Sequence, residues 1–158
     1  MKYILTLLAL ITTCFSYENG GSISVEIDGK QLKEIFHPNG KIKFKFTLIR
    51  NGNGKQVIDG IKKNFYPNGQ LRGTEIYKMG KPEGKWIYFY ETGEQYNELF
   101  FENGKKVKTW TRWNKDKSKI GEVTFSYEEN DQLVTEKQFK NGKVIKIKKY
   151  KNGNEIKS

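Results

Sequence analysis

The sequence predicts an all-β protein, an elongated antiparallel β-meander of repeated hairpins, on three observations. The first is a composition poor in helix formers, with a single alanine, Ala9, and 16 glycines among 158 residues. The second is a series of Asn-Gly pairs at regular intervals, a dipeptide that is a strong signal for hairpin turns. The third is alternation of apolar and polar residues between those turns, the pattern of half-buried strands. Together they argue against a helical bundle.

The chain begins with residues arranged as in a secretory leader. Lys2 supplies a positive charge, an apolar run covers residues 3–11, and small or polar residues follow up to Ser16. This run is too short to span a bilayer, which takes about 20 residues. We therefore divide the chain into a signal peptide over 1–16 and a repeat domain over 17–158. We expect export to the periplasm, the cell surface or the medium, and the alternative is a buried N-terminal strand or helix.

Cys14, the only cysteine, leaves two ways of processing this leader. Cleavage after Ser16 would place small residues at the two recognition positions and start the mature chain at Tyr17. Alternatively, residues 11–14 form a lipoprotein box and Cys14 is lipidated, although Thr13 fits such a box poorly. The residue pattern favours plain cleavage, after which the mature chain contains no cysteine for a disulfide, a thiol nucleophile or a zinc site.

Internal repeats dominate the rest of the chain. Glycines recur at 11-residue intervals, each after an aromatic residue or a short polar run. A longer period of 24 residues relates Trp86 to Trp110. The glycines that we assign to repeat turns are Gly40, Gly69, Gly80, Gly93, Gly104, Gly142 and Gly153.

Each 11-residue interval predicts one strand and one turn. A type I′ hairpin turn needs a positive φ at both central residues, which Asn and Gly tolerate. Between turns, the lysines and apolar residues of 41–46 alternate and therefore lie on opposite faces of a strand. About ten strands fit between Ser22 and Ile156.

The unit at residues 84–93, GKWIYFYETG, resembles a MORN-type repeat, and more closely its bacterial variant, with the approximate pattern G-x-W-x-x-[FY]-[FY]-x-N-G. Residues 60–82 are similar, with Lys62 in place of the tryptophan, and the unit that begins at Lys108 lacks the leading glycine. The resemblance extends over residues 25–153.

That resemblance implies a single curved sheet of hairpins that serves as a binding or scaffolding module. Many bacterial members carry the label YwqK-type antitoxin, which makes antitoxin-like inhibition one alternative function. Because an exported protein is an unusual inhibitor of an intracellular toxin, the leader argues against this alternative.

The residues give no positive sign of an enzyme. No nucleophile elbow, phosphate-binding loop or zinc-protease motif is present, and the glycines recur as turns between strands. His37, the only histidine, lies in a turn, where we expect it to be exposed. We therefore predict no catalytic residue, no metal, no cofactor and no small-molecule substrate.

The net charge of +11 is concentrated at the C-terminal end. Residues 17–136 carry a net charge of +3, whereas residues 137–158 carry +7. The lysines of this basic end are Lys140, Lys143, Lys146, Lys148, Lys149 and Lys151. They predict either attraction to an anionic membrane or glycan surface, or protection of a terminal strand against sheet-to-sheet pairing. Nucleic acid is a poor partner for an exported, lysine-rich chain.

The aromatic residues that recur with the repeat also have two interpretations. They pack in layers along the sheet, or an open face presents them to a partner. The candidates are Tyr66, Trp86, Tyr90, Trp110 and Trp113. We predict an exported, non-enzymatic repeat protein that binds a protein partner at the cell envelope, with the basic end and the antitoxin role as alternatives.

Overall fold

The computed structural model describes residues 20–156, which form one antiparallel β-sheet. The signal peptide expected over 1–16, with Cys14, lies outside the described residues. The strands are β1 Ser22–Ile27, β2 Lys30–Phe36, β3 Ile42–Arg50, β4 Gln56–Ile58, β5 Gly60–Phe65, β6 Leu71–Lys78, β7 Lys81–Pro82, β8 Gly84–Phe89, β9 Gln95–Glu102, β10 Lys105–Lys106, β11 Lys108–Trp113, β12 Lys119–Glu128, β13 Asp131–Lys140, β14 Lys143–Lys151 and β15 Asn154–Ile156.

The strands follow one another in the sheet in chain order, which confirms the predicted meander. Twelve of them form a continuous path from β1 to β15, while the short strands β4, β7 and β10 pair with β3, β6 and β9. The described strands begin at Ser22 and end at Ile156, as the sequence predicts. Their number, fifteen, exceeds the prediction of about ten, and three of the additional strands arise because β5, β8 and β11 are each preceded by a short interrupted piece.

One residue causes each interruption and separates a short strand from the long strand after it. These residues are Asp59, Glu83 and Val107, whose N–H groups donate to carbonyl groups of β3, β6 and β9 respectively. The next residue has a positive φ, 86° at Gly60, 64° at Gly84 and 59° at Lys108. Lys108 thus adopts the backbone geometry of the glycine that its unit lacks.

Most turns fall into two classes, although the sequence predicts one; the turn at 129–130 differs, with a positive φ at Glu129 alone. Two-residue turns with a positive φ at both positions, as in type I′, occur at 28–29, 79–80, 103–104, 141–142 and 152–153. At Asn39-Gly40 and Asn68-Gly69 the prediction of a type I′ turn is wrong, because only the glycine has a positive φ.

These loops are longer than a type I′ turn. His37 N–H donates to Lys41 O, and Gly40 N–H donates back to His37 O. Equivalent pairs of bonds close the loops at 66–70, 90–94 and 114–118, and also the loop at 51–55, which follows the other end of β3. This is a type I turn followed by one left-handed residue, the usual three-residue hairpin loop. We call these four loops, 37–41, 66–70, 90–94 and 114–118, the turn row.

A β-bulge lies beside each loop of the turn row and again near residue 139. The register shifts after Ile35, Asn64, Tyr88, Arg112 and Gln138. In each case the following strand contains one additional residue, and these residues are Lys43, Arg72, Tyr96, Ile120 and Ile145. Bulges increase the local twist of a sheet and redirect side chains, so five at equivalent positions give the sheet a regular twist.

Strand pairing places the recurring tryptophans Trp86 and Trp110 on one face of the sheet. Residues paired across neighbouring strands share a face, so Trp86 lies beside Leu99, and Trp110 beside Val123. We call this side the ring face. The described residues form no second layer over it, and Trp86, 9% exposed, is the one buried apolar side chain among them.

Candidate binding face

Five aromatic side chains form a continuous row across five strands of the ring face. The ring centroids of Tyr77, Trp86, Phe101, Trp110 and Phe125 are 5.1, 4.5, 5.1 and 4.7 Å apart in succession, and all are tilted. The indole N–H of Trp86 donates to Ile76 O at 2.9 Å, and that of Trp110 to Phe100 O at 3.0 Å. These two candidate partner-binding residues are thus held by contacts within the sheet, and their contact with a partner stays a prediction.

Comparison of the 24-residue units shows a substitution on this face. The cross-strand pairs Trp86–Leu99 and Trp110–Val123 occupy equivalent places. One unit earlier, the equivalent pair is Lys62–Glu75. A charged pair therefore stands where the other units have an aromatic residue against an aliphatic one.

Glu75 is the centre of a buried polar cluster. It is 7% exposed and accepts four hydrogen bonds, from Asn64 Nδ2 (2.8 Å) and the Tyr88 hydroxyl (2.9 Å) at Oε1, and from Lys62 Nζ (3.0 Å) and the Tyr77 hydroxyl (2.9 Å) at Oε2. Asn64 is 5% exposed. An ionised carboxylate is tolerated at such a site because every oxygen is paired.

The protonation of the cluster follows from these contacts. Burial raises the pKa of Glu75, but the hydrogen bond and charge of Lys62 and the two tyrosine hydroxyls outweigh it, so the pKa lies below its ordinary value. Burial, together with the Glu75 carboxylate, raises the pKa of Tyr77 and Tyr88. Glu75 is therefore ionised at neutral pH and saturated with donors, an arrangement suited to fixing its neighbours and poorly suited to a general base.

Sequence reasoning missed this cluster, although a signal existed. Lys62 departs from the repeat at the tryptophan position, and Glu75 departs at the aliphatic position directly opposite. Two departures of opposite charge at paired positions indicate an ion pair. Beside them a pocket of about 200 Å³ is lined by Phe44, Arg72 and four members of the cluster, Lys62, Asn64, Glu75 and Tyr88.

A larger groove, of about 550 Å³, opens farther along the ring face around Gly121. Its apolar lining includes Leu99, Trp110, Val123, Ile120, Phe139 and Ile145, and its polar lining includes Asn97, Arg112, Glu136 and Gln138. Gly121 leaves the space open, since a Cβ built there would meet only Lys137 O, at 3.7 Å. The equivalent space at Gly73 is filled by the ring of Tyr88, 2.5 Å from such a Cβ.

Comparison with known families identifies one of these hairpins. Residues 58–79 match the model of the MORN repeat variant. This hairpin is similar to the MORN repeat variant. The match spans β5 and β6 and therefore contains the Lys62–Glu75 pair. MORN repeats are typical of proteins that act through binding or interaction. No curated protein matches the chain.

The turn row links successive hairpins of the sheet. The hydroxyl of Tyr66 donates to Phe89 O at 2.8 Å, and that of Tyr90 to Trp113 O at 2.9 Å. His37 is half-buried and occupies the same loop position, with its Nε2 3.0 Å from Phe65 O. The expected exposed histidine is thus a link between hairpins, as are the candidate partner-binding tyrosines. Partner contact at Tyr66, Tyr90 and Trp113 stays a prediction.

The turn glycines have the backbone that their assignment requires. Gly40, Gly69, Gly80, Gly93, Gly104, Gly142 and Gly153 all have a positive φ, between 73° and 98°. In the fourth loop of the turn row the equivalent residue is Lys117, with a φ of 64°. Within residues 20–156 no group of three or more metal-ligating side chains occurs, and no helix is long and apolar enough to cross a membrane.

The basic end occupies β13 and β14, and its lysines are not equivalent. Lys148 Nζ lies 3.1 Å from Glu155, and Lys151 Nζ lies 2.7 Å from Asp131. The remaining four, Lys140, Lys143, Lys146 and Lys149, form no ion pair within residues 20–156. The structure thus leaves most of the positive charge of this end available to a partner.

Proposed function

We propose that this chain is an exported, non-enzymatic MORN-repeat protein that binds a protein partner at the cell envelope through the groove around Gly121 on the ring face. The observation that carries the proposal is the groove itself. It is the place on this face where the recurring glycine position is neither filled by a ring, as at Gly73, nor occupied by a larger side chain, as at Asn97.

The chemistry of the groove suits a protein side chain. Its apolar lining would bury an aliphatic or aromatic anchor, the kind of residue that contributes most of the energy at protein interfaces. Arg112, Glu136, Asn97 and Gln138 provide donors and acceptors around it, as a polar rim does. The proposed envelope location depends on the leader predicted over 1–16.

The test is to fill the groove without disturbing the backbone. In Gly121→Leu, the new side chain enters the groove where a Cβ has room, and we expect capture of cross-linked envelope proteins by the mature chain to be lost. Ser126→Leu is the matched control, since Ser126 lies on the same strand, is exposed, and points to the opposite face. Equal capture by both folded variants would refute the groove as the binding site.

Export is tested separately at the native N-terminus. Mass spectrometry should find a chain that starts at Tyr17. A lipidated Cys14 would show a membrane-tethered protein, and an intact Met1 would overturn the proposed location. The antitoxin alternative still rests on the family resemblance alone. The anionic-surface alternative depends on the lysines of the basic end, in β13 and β14, and binding to anionic vesicles tests it.

A further inference from the structure

The outer edge of β14 is only partly covered. On one side, β14 pairs with β13 along its whole length, from Lys143 to Lys151. On the other side, β15 pairs only with residues 149–151. Within residues 20–156, therefore, the backbone of residues 143–148 has no strand beside it on this side. Unpaired N–H and C=O groups on an edge can receive another strand.

The free edge of β14 carries exposed apolar side chains in addition to the lysines that protect an edge from pairing. Val144, Ile145 and Ile147 are 45%, 60% and 54% exposed. A strand laid beside them would remove part of this apolar surface from water. Lysines alternate with them and supply positive charge, and Lys143, Lys146 and Lys149 have no ion pair within the described part of the chain.

β15 shows which kind of strand this edge accepts. Its sequence at 154–156 is Asn-Glu-Ile. Glu155 pairs with Tyr150 and places its carboxylate 3.1 Å from Lys148 Nζ, whereas Ile156 pairs with Lys149 on the opposite face. An acidic residue on the ring face and an apolar one on the other face therefore match β14.

We propose that residues 143–148 of β14 bind an extended segment of a partner protein by strand addition, and that this segment continues the pattern of β15. Its acidic residues would lie beside Lys146 and Lys148 on the ring face, and its apolar residues beside Ile147 on the opposite face. A second copy of β14 is a poor occupant, because it would bring lysines opposite lysines. The inference shares with the proposed function a protein partner and the side chain of Ile145, which lines the groove, whereas residues 146–148 lie outside its lining.

The experiment uses the mature chain and a hexapeptide of alternating glutamate and valine with blocked ends and a fluorescent label. Binding is followed by fluorescence anisotropy at low salt. Two modified peptides are compared, one N-methylated at every valine and the other at every glutamate. In strand addition the N–H groups of alternate residues face the protein, so one methylated peptide should lose at least about tenfold in affinity while the other retains binding.

Protein variants locate the site. Lys146→Glu should weaken binding of the unmodified peptide by about tenfold. Lys63→Glu is the matched control, since Lys63 is exposed on β5, a strand paired on both sides, and it should bind as the unaltered protein does. Gly121→Leu should also retain the peptide, which separates failure of this inference from failure of the groove.

Several results would overturn the inference. Equal binding of both methylated peptides would show that the peptide binds through its negative charge alone, without strand pairing. Binding to vesicles of phosphatidylglycerol but not to the peptide would show an anionic-surface site, and absence of binding to either would show an edge that only prevents pairing. Concentration-dependent dimers that the peptide does not disrupt would show a second copy as the occupant. Because the peptide comparison requires no protein variant, misfolding of Lys146→Glu would not obscure the outcome.

Discussion

Removal of the Glu75 carboxylate should strongly destabilise the sheet. Glu75→Leu introduces the residue that the next repeat has at the equivalent position, Leu99. The new side chain is therefore compatible with the backbone and with the ring face. Any large loss of stability must come from the groups that the carboxylate leaves behind.

The size of the loss follows from those groups. Lys62 keeps a charge on a side chain only 21% exposed, and the amide of Asn64 stays buried without its acceptor. Breaking a buried ion pair by removal of one partner typically destabilises a protein by about 3–5 kcal/mol. The added apolar side chain offsets part of this, so we expect Glu75→Leu to lower the free energy of unfolding by about 3 kcal/mol.

A second substitution should recover much of that loss. In Lys62→Met/Glu75→Leu no charge remains, and methionine fills a volume close to that of the lysine stem. Replacement of a buried ion pair by apolar residues is often neutral for stability. The buried amide of Asn64 and the hydroxyls of Tyr77 and Tyr88, which all lose their acceptor, should then account for the remaining deficit, about 1–2 kcal/mol. The double variant is thus expected to be more stable than Glu75→Leu alone.

Urea unfolding of the four proteins in this cycle tests the reasoning. Tryptophan fluorescence and circular dichroism are recorded together, because a repeat sheet can unfold in steps. The cycle gives the coupling between positions 62 and 75 directly. A loss below about 1 kcal/mol for Glu75→Leu, or a double variant no more stable than the single one, would show that the buried pair is not what stabilises this hairpin.

Three further predictions concern other parts of the sheet. Gly73→Ala should lower the free energy of unfolding by about 1–3 kcal/mol because its Cβ would overlap the ring of Tyr88, whereas Gly121→Ala should change it by less than about 0.5 kcal/mol; equal urea midpoints would contradict this. Lys117→Gly should raise the melting temperature, because glycine adopts the φ of 64° found at Lys117 without strain. We expect a gain in stability of about 0.5–1 kcal/mol, and an unchanged melting temperature would count against strain in this loop. Because the folded pKa of Glu75 is depressed, its stabilising contribution is present above its ordinary pKa of 4.5 and is lost as the pH falls below it; unfolding curves in acid should therefore converge for the unaltered protein and Lys62→Met/Glu75→Leu.

Much of the fold was predictable because the signals are local. Alternation in residues 41–46 fixes which side chains share a face, and Asn-Gly pairs fix where strands end. The turn class was predictable only in part. Asn103-Gly104 and Asn39-Gly40 have the same two residues, yet only the first has a positive φ at both. The second lies in a loop that begins two residues earlier and accommodates Pro38, so the surrounding residues decide the class.

The polar cluster could not be derived in the same way because it depends on register. Lys62 and Glu75 lie opposite each other only because the bulge after Asn64 adds one residue to β6. The 24-residue period identifies both departures, but their burial depends on the rings of Tyr77 and Tyr88 from neighbouring strands. The only sequence feature of the groove is Gly121, and its φ lies outside the range that requires glycine, so nothing in the sequence marked the position.

The identity of strand order and chain order affects how the molecule is made. Each hairpin finds its neighbour among the residues synthesised immediately before it, so pairing can advance with the growing chain and need not wait for distant segments. The same order means that opening begins at β1 or β15, where a strand has one neighbour, and reaches β8 and β9, in the middle of the path, last. Duplication or loss of one 24-residue unit would lengthen or shorten the sheet and leave the remaining pairings unchanged. In such a molecule, length is a property that can change without a new fold.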